Sequence, residues 1–232
     1  MIRDQGCCGS CYAFGVVNAI TDRICIASGG NITAAMSAEE LVTCTGSGCQ
    51  GGNAFNAWQY WKEQGLVTGG LYNGKGCLPY TIPPCEHHRN GTRPPCVHIA
   101  STPPCKKQCN RAYGKEYKDD KNYGKDVYTL GSDVLEIQAE ILKHGPVSAG
   151  FTVFADFGNY KSGVYQSHSS DKVGSHCVKI LGWGVEEGTP YWIVANSWNP
   201  DWGDHGFFKI MRGQNECGIE ESVIAGIPDL SK

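Results

Sequence analysis

The chain has 232 residues, which at ~150 residues per domain allows one large domain or two small ones. Its 20 Lys+Arg and 23 Asp+Glu leave a formal charge of −3, and such a balance argues against nucleic acid or an anionic membrane as the main partner. No run approaches the ~18 apolar residues of a membrane span, and 6 Trp, 11 Tyr and 7 Phe give the chain enough to bury that disorder throughout is excluded.

In chain order, helices come first. Beyond Cys11, apolar residues at Phe14, Val17, Ile20 and Ile24 form a 3.6-residue stripe that ends near Ser28-Gly29-Gly30 and predicts an amphipathic helix. Ser37-Ala38-Glu39-Glu40 has the S-x-x-E form of a capping box and opens a short second helix. Asn53 is placed to cap a third, with Phe55, Trp58 and Trp61 on one side and Gly65 as its stop. From Gly74 to Gly124 periodicity is lost. That stretch holds five of the 13 Cys, seven of the 11 Pro and three of the 7 His, so it cannot build a core and needs cross-links to hold it. Lys106, Lys107, Arg111, Lys115 and Lys118, interrupted by Asp119 and Asp120, read as a solvated loop.

The last hundred residues change character. A helix over Asp133–Lys143, capped by Ser132 and stopped by Gly145-Pro146, precedes strands predicted at Val147–Phe154, His176–Gly182, Tyr191–Ala195, Phe207–Met211 and Val223–Ile227. Helices first and strands last is the pattern of an α+β protein with two lobes. The expected division is a mostly helical lobe over residues 1–127 and a β-rich lobe over 128–232.

Cys is 13 of 232, heavy for a reducing cytosol, and the odd number leaves at least one thiol unpaired. The sequons Asn31-Ile32-Thr33 and Asn90-Gly91-Thr92 make Asn31 and Asn90 glycosylation candidates on a secretory route. Met1-Ile2-Arg3-Asp4, by contrast, carries no charged leader with an apolar stretch behind it.

The chemistry gathers around Cys8-Gly9-Ser10-Cys11-Tyr12, which matches the nucleophile signature C-G-[SA]-C-[WY]. Cys11 opens the first predicted helix, where unpaired backbone N–H groups and the helix dipole favour a thiolate. A thiolate nucleophile needs a base, oriented by a third group. Ser175-His176-Cys177 and, twenty residues after His176, Asn196-Ser197-Trp198 supply both. Asn196 can hold the imidazole without adding charge, and Trp198 can shield that bond from water. Gln5, six residues before Cys11, is placed to help the Cys11 backbone N–H bind an oxyanion.

These residues resemble the papain family of cysteine proteases, and within it the cathepsin B subfamily. The resemblance runs through Gln5…Cys11, Cys49-Gln50-Gly51-Gly52, Gly182-Trp183-Gly184 and Asn196-Ser197-Trp198 to Trp202-Gly203. It implies a papain-like two-lobe fold, a helical left lobe and a β-barrel-like right lobe with the cleft between them. It also implies a Cys11–His176–Asn196 peptidase with Gly51 and Gly52 along the substrate. His176 lies 165 residues after Cys11, beyond the ~130–150 expected, which points to an insertion in the periodless stretch. Its centre, Pro83-Pro84-Cys85-Glu86-His87-His88, resembles the occluding loop (about 77–109), whose histidines hold a substrate's C-terminal carboxylate and so add dipeptide release to internal cleavage. By position, His87 would latch to Asp4 and Arg93 to Asp201.

The resemblance further implies four bridges, Cys8–Cys49, Cys44–Cys105, Cys77–Cys109 and Cys85–Cys96. Cys7, Cys11, Cys25, Cys177 and Cys217 are left over. It implies protein and peptide substrates, cystatin-type inhibitors, the protein's own propeptide, a monomer, a lysosomal or secreted location, and no cofactor or metal. The family partner of Cys25 lies in an N-terminal segment, so signal, propeptide and first mature residues are expected to be missing here. The position at the floor of the specificity pocket falls on Ser222, with Glu221 beside it. Competing readings are a thioredoxin-type Cys8-x-x-Cys11 pair, which lacks a preceding strand of a βαβ unit, a zinc site around His87-His88, and a catalytically dead binding module.

Overall fold

A computed structural model describes residues 1–231 of the chain. Helix α1 (Cys11–Ala27) is followed by α2 (Ala38–Cys44) and α3 (Ala54–Gln64). The remaining elements are β1 (Tyr123–Thr129), α4 (Val134–His144), β2 (Val147–Phe154), β3 (Val164–Tyr165), β4 (Lys172–Glu186), β5 (Thr189–Ala195), β6 (Phe207–Met211) and β7 (Ser222–Asp229). The seven strands form one sheet in the order β1-β7-β2-β4-β5-β6-β3, antiparallel except for the β3–β6 pair. This is an α+β fold with two large apolar cores and a small third cluster of Val67, Cys77 and Leu78. One packs α1, α2 and α3 through Phe14, Ile20, Leu41, Trp58 and Trp61. The other fills the sheet through Phe151, Ile180, Trp192, Trp202 and Phe208.

Helix α1 is not amphipathic, because it lies between both cores. Every residue from Tyr12 to Ile20 is buried, far beyond the predicted stripe. A helix buried all round needs small residues where it is approached closely, and Gly15 is one. A Cβ there would stand 2.7 Å from Cys177 Sγ and 3.1 Å from the β4 backbone. Arg23, fully buried, then ties α1 to the C-terminal half. Its guanidinium donates to the carbonyls of Pro146, Gly226 and Gly145 and to Glu140 at 2.8 Å.

The caps are partly as predicted. The Ser37 hydroxyl accepts from Glu40 N–H, but the Glu40 carboxylate turns inward instead of closing the box. It takes Val67 N–H at 2.8 Å and contacts Tyr60, Tyr117 and Lys121. Asn53 caps α3 as expected. The cap of α4 is Asp133, accepting from Leu135 N–H, rather than Ser132, and the helix extends one residue further to His144. Strand β4 begins before His176 and runs past Gly182 to Glu186. β1 was hidden in the sequence by its Gly, Lys and Asp, and β3 by having only two residues. The expected lobe division at 127/128 falls inside β1, which pairs with β7.

Between Gly74 and the start of β1 the only regular element is a short 3-10 turn at Tyr117–Asp120, and the segment is held by bridges. The structure closes Cys8–Cys49, Cys44–Cys105, Cys77–Cys109 and Cys85–Cys96. Asp120 departs from the solvated-loop reading. It is buried and accepts from Thr68 N–H, Thr68 Oγ1 and Tyr113 OH, pinning the end of the loop to the helical core. No helix among the described residues is long and apolar enough to cross a membrane.

Candidate active site

Cys11 is the first residue of α1, and the helix end is left open for it. Ser10 stands at the cap position without a side-chain capping bond. Its hydroxyl is instead engaged by the Tyr80 hydroxyl at 3.0 Å, which in turn donates to the Gln5 carbonyl at 2.8 Å. The N–H groups of Ala13 and Phe14 bond to the Ser10 carbonyl. Those of Cys11 and Tyr12, joined by Cys177 N–H from β4, face the Cys11 sulfur and favour its thiolate. Burial opposes them more strongly, so the thiol pKa is pushed up on balance.

His176 is buried on β4, and its Nε2 lies 2.7 Å from Asn196 Oδ1. The Asn196 atom accepts a bond from Ser197 N–H at 2.7 Å, and a backbone N–H can only donate, so that atom is the oxygen. Nε2 therefore carries the proton, and the Nδ1 lone pair is left for another partner. Burial pushes the imidazole pKa down to about 4, against the raising effect of Asn196. Trp198 packs over the imidazole with ring centroids 4.8 Å apart, and Phe151 meets it edge-on at 5.9 Å. Asn196 Nδ2 is buried without a partner.

Gln5 is brought to the same place from the N-terminus. Its backbone N–H donates to Ser197 O, its Oε1 accepts from Ser197 Oγ at 2.7 Å and its Nε2 donates to Cys8 O at 2.7 Å. Ser197, absent from the predicted set, thus orients both Asn196 and Gln5. Its partner Gln5 is 192 residues away, so no local pattern could reveal it. Tyr80, which links Gln5 to the helix cap, was equally invisible.

The loop histidines reach this site through Trp198. His87 stacks on the indole at 5.9 Å with planes 7° apart, and His88 lies 4.7 Å from it. His87 Nε2 contacts Asp4 Oδ1 at 2.9 Å, and Arg93 pairs with Asp201 and with Glu86. Partial burial, then the neighbouring His87 and His176, hold the His88 pKa below its ordinary 6.5.

Cys11, Tyr12, Gly52, Ala54, Phe55, Gly150, His176, Cys177, Ser222 and Ile224 line a cleft of about 250 Å³. Gly52 is pressed against Tyr12, where a Cβ would stand 2.7 Å from the ring. Gly51 has φ +110°, a conformation that favours glycine, so the turn reading and the substrate-edge reading coexist there. Ser222 lies on the wall. Glu221 does not line the cleft, and its carboxylate accepts from Asn215 Nδ2. Cys8 is committed to Cys49 while Cys11 is free, so the two do not form a redox pair. Asn31 and Asn90 are both exposed.

A family model, papain family cysteine protease, matches residues 1–227. The chain belongs to the papain family of cysteine proteases. Among curated papain-family relatives it is similar to a cathepsin B-like cysteine proteinase of Schistosoma japonicum, 51% identical over 231 residues that cover 97% of this chain and 68% of the relative. It is also similar to cathepsin B-like cysteine proteinase 6 of Caenorhabditis elegans, 50% identical over 238 residues, 100% of this chain and 63% of that protein. The chain thus spans about two thirds of these relatives' length. Among solved structures, procathepsin B S9 of Trypanosoma congolense matches with a TM-score of 0.85 and 36% identity, over 100% of this chain and 72% of that one. Digestive procathepsin L2 of Tenebrio molitor matches with a TM-score of 0.75 and 28% identity, over 97% and 64%.

Proposed function

We propose that the chain is a cathepsin B-type peptidase that cleaves peptide bonds with Cys11 as nucleophile, His176 as proton carrier and Asn196 as its orienting group. The observation that carries this reading is the His176–Asn196 bond. It leaves Nδ1 unprotonated in the cleft that Cys11 also lines. Cys11 gives its proton to His176, and the sulfur attacks the scissile carbonyl. The developing oxyanion is met by the Cys11 N–H and by the second amide hydrogen of Gln5 Nε2. His176 as imidazolium then protonates the leaving amine, and water hydrolyses the thioester with His176 as base. The exposed Gly51–Gly52 edge holds the substrate main chain.

The same enzyme releases C-terminal dipeptides. His87, stacked on Trp198, and His88, tilted against it, offer charge-assisted donors to a substrate's terminal carboxylate. His88 gains its charge only in acid, below its ordinary 6.5. By family, the protein works as a monomer in a lysosomal or secreted setting, matures from a propeptide-bearing zymogen, meets cystatin-type inhibitors, needs no cofactor or metal, and carries glycans at Asn31 and Asn90.

The test compares one peptide with a free C-terminus and its amidated twin. His88→Ala, which spares the His87–Asp4 latch, is expected to lower kcat/KM on the free peptide at pH 5 and leave the amidated one within about twofold. A hydrogen bond to a charged group is worth ~1.5–3 kcal/mol, so the loss on the free peptide should be roughly tenfold or more. Equal losses on both peptides would make the loop structural only.

A further inference from the structure

The two donors assigned to the oxyanion reach it from separate parts of the chain. One is the Cys11 N–H at the start of α1, the other is Nε2 of Gln5 in the N-terminal segment. Such a pair lowers the barrier only if both donors already stand ~2.7–3.1 Å from the point where charge develops. Gln5 has all but one of its polar groups committed. Its backbone N–H donates to Ser197 O, its Oε1 accepts from Ser197 Oγ, and one Nε2 hydrogen goes to Cys8 O. Its carbonyl accepts from the Tyr80 hydroxyl at 2.8 Å. The Ser10–Cys11 peptide is held through its carbonyl, which takes the Ala13 and Phe14 N–H groups. It is held again through the Ser10 side chain, whose Oγ lies 3.0 Å from the same Tyr80 oxygen. We propose that Tyr80 is a positioning residue that sets the spacing of the two oxyanion donors, its hydroxyl bridging Gln5 to the residue before Cys11.

The order of protons along this bridge is fixed. Tyr80 has one hydroxyl hydrogen and gives it to Gln5 O, so Ser10 Oγ is the donor in the other bond. Burial raises the phenol pKa well above its ordinary 10, and the hydroxyl keeps its proton from acid to neutral pH. Tyr80 is 1% exposed and Ser10 fully buried, so both bonds are made out of reach of bulk solvent.

Tyr80 is itself held on more than one side. Asn73 N–H donates to its carbonyl at 2.9 Å, and its ring meets Phe14 of α1 edge-on with centroids 4.9 Å apart. The N-terminal segment is pressed onto the stretch that follows Tyr80. Gly6 has φ +61°, and a Cβ there would stand 2.5 Å from Pro83 O and 2.8 Å from Ile82 Cγ2. A glycine beside Gln5 thus permits the close approach that brings its carbonyl to the Tyr80 hydroxyl. The proposal rests on the peptidase reading, which gives the two donors their task.

Tyr80→Phe tests it, because the ring and its contact with Phe14 stay while the bridging oxygen goes. On a peptide amide, kcat should fall about tenfold, the factor of roughly one hydrogen bond, with KM within about twofold of the parent. Inhibition by a peptide aldehyde, whose adduct places an oxygen between the same donors, should weaken by the same factor. Alkylation of Cys11 by iodoacetamide forms no oxyanion, so its rate and pH profile should not move, whereas a loosened site would change them too. In a Gln5→Ala background, Tyr80→Phe should cost less than about twofold, since only one donor is left to space. Ser10→Ala breaks the bridge from its other end and should repeat the pattern at about threefold. An unchanged kcat in Tyr80→Phe, alkylation slowed along with hydrolysis, or the same loss with and without Gln5 would overturn the proposal. A Gln5→Ala chain as active as the parent would overturn the oxyanion assignment itself.

Discussion

Burial and the Asn196 contact act on His176 in opposite directions, and burial wins, lowering the imidazole pKa to about 4. In the unfolded chain the same ring titrates near 6.5. Between these values the unfolded state binds a proton that the native state refuses, so stability must fall as the solution is acidified. The contribution is fully present above pH ~6.5 and is lost as pH falls toward 4, by ~3 kcal/mol at most. Cys11 held as its S-methyl thioether removes the thiol's own titration from the measurement. In that form, the stability gap between the parent and His176→Ala should shift against the parent as pH falls from 7.5 to 4. A gap independent of pH would mean that His176 is solvated.

Ser222 raises the second residue-level expectation. It sits on the cleft wall opposite Gly150 and near Ile224 and Cys177, where no carboxylate is found. Its neighbour Glu221, in the turn just before β7, is turned to Asn215. An arginine two positions before the scissile bond would be partly desolvated without a counter-charge, a costly arrangement. Phe, Leu or Val should therefore be preferred there over Arg. Ser222→Glu should raise kcat/KM for an Arg-Arg substrate relative to Phe-Arg by about tenfold, as a hydrogen-bonded charge pair contributes ~1.5–3 kcal/mol. Efficient cleavage of Arg-Arg by the parent chain would show that another acid reaches the pocket.

At the scale of the element, α1 holds the nucleophile in place because it is buried on all sides from Tyr12 to Ile20. Arg23 anchors its C-terminal half to α4, to the turn after it and to β7 with four hydrogen bonds and no exposure. Removing it takes the charged partner from the Glu140 carboxylate, which is 12% exposed and keeps only the Tyr128 hydroxyl, and takes a donor from three carbonyls. Arg23→Ala should cost ~3–5 kcal/mol, as expected when one member of a buried pair is deleted. A urea midpoint and slope unchanged from the parent would contradict this account of the helix. The sequence marked α1 as helical by its Phe14-Val17-Ile20-Ile24 spacing but not as central, because a stripe reports one apolar face. Gly15 and Arg23, which make the second face work, read in isolation as a helix weakener and a surface charge. The same limit hid β1, whose Gly124, Lys125 and Asp126 break any alternation although β7 completes its pairing.

Across the whole molecule, the groups converging on the cleft come from the N-terminal segment, the start of α1, the loop, β4 and the turn after β5. Cys11, His176 and Asn196 were legible because each sits in a short local motif of chemically distinctive residues. Ser197 and Tyr80 were not, because their partners are remote in the chain and common residue types announce nothing. Asp120 and Glu40 misled for the reverse reason: Asp120 in polar surroundings read as solvated and Glu40 as closing a capping box, yet both are buried and bonded by groups that only folding brings near.

The central claim is that His176 activates Cys11 and no other thiol in the chain. Cys7, Cys11, Cys25, Cys177 and Cys217 are all free, which makes the comparison internal. A peptidyl epoxide that alkylates thiols is incubated with the parent chain and with His176→Ala, and each modified cysteine is mapped and timed by mass spectrometry. Modification should be stoichiometric at Cys11 alone. Its rate should fall ~10²–10⁴-fold in His176→Ala, the range of a lost general base. Labelling spread over the other cysteines, or a Cys11 rate unchanged without His176, would contradict it.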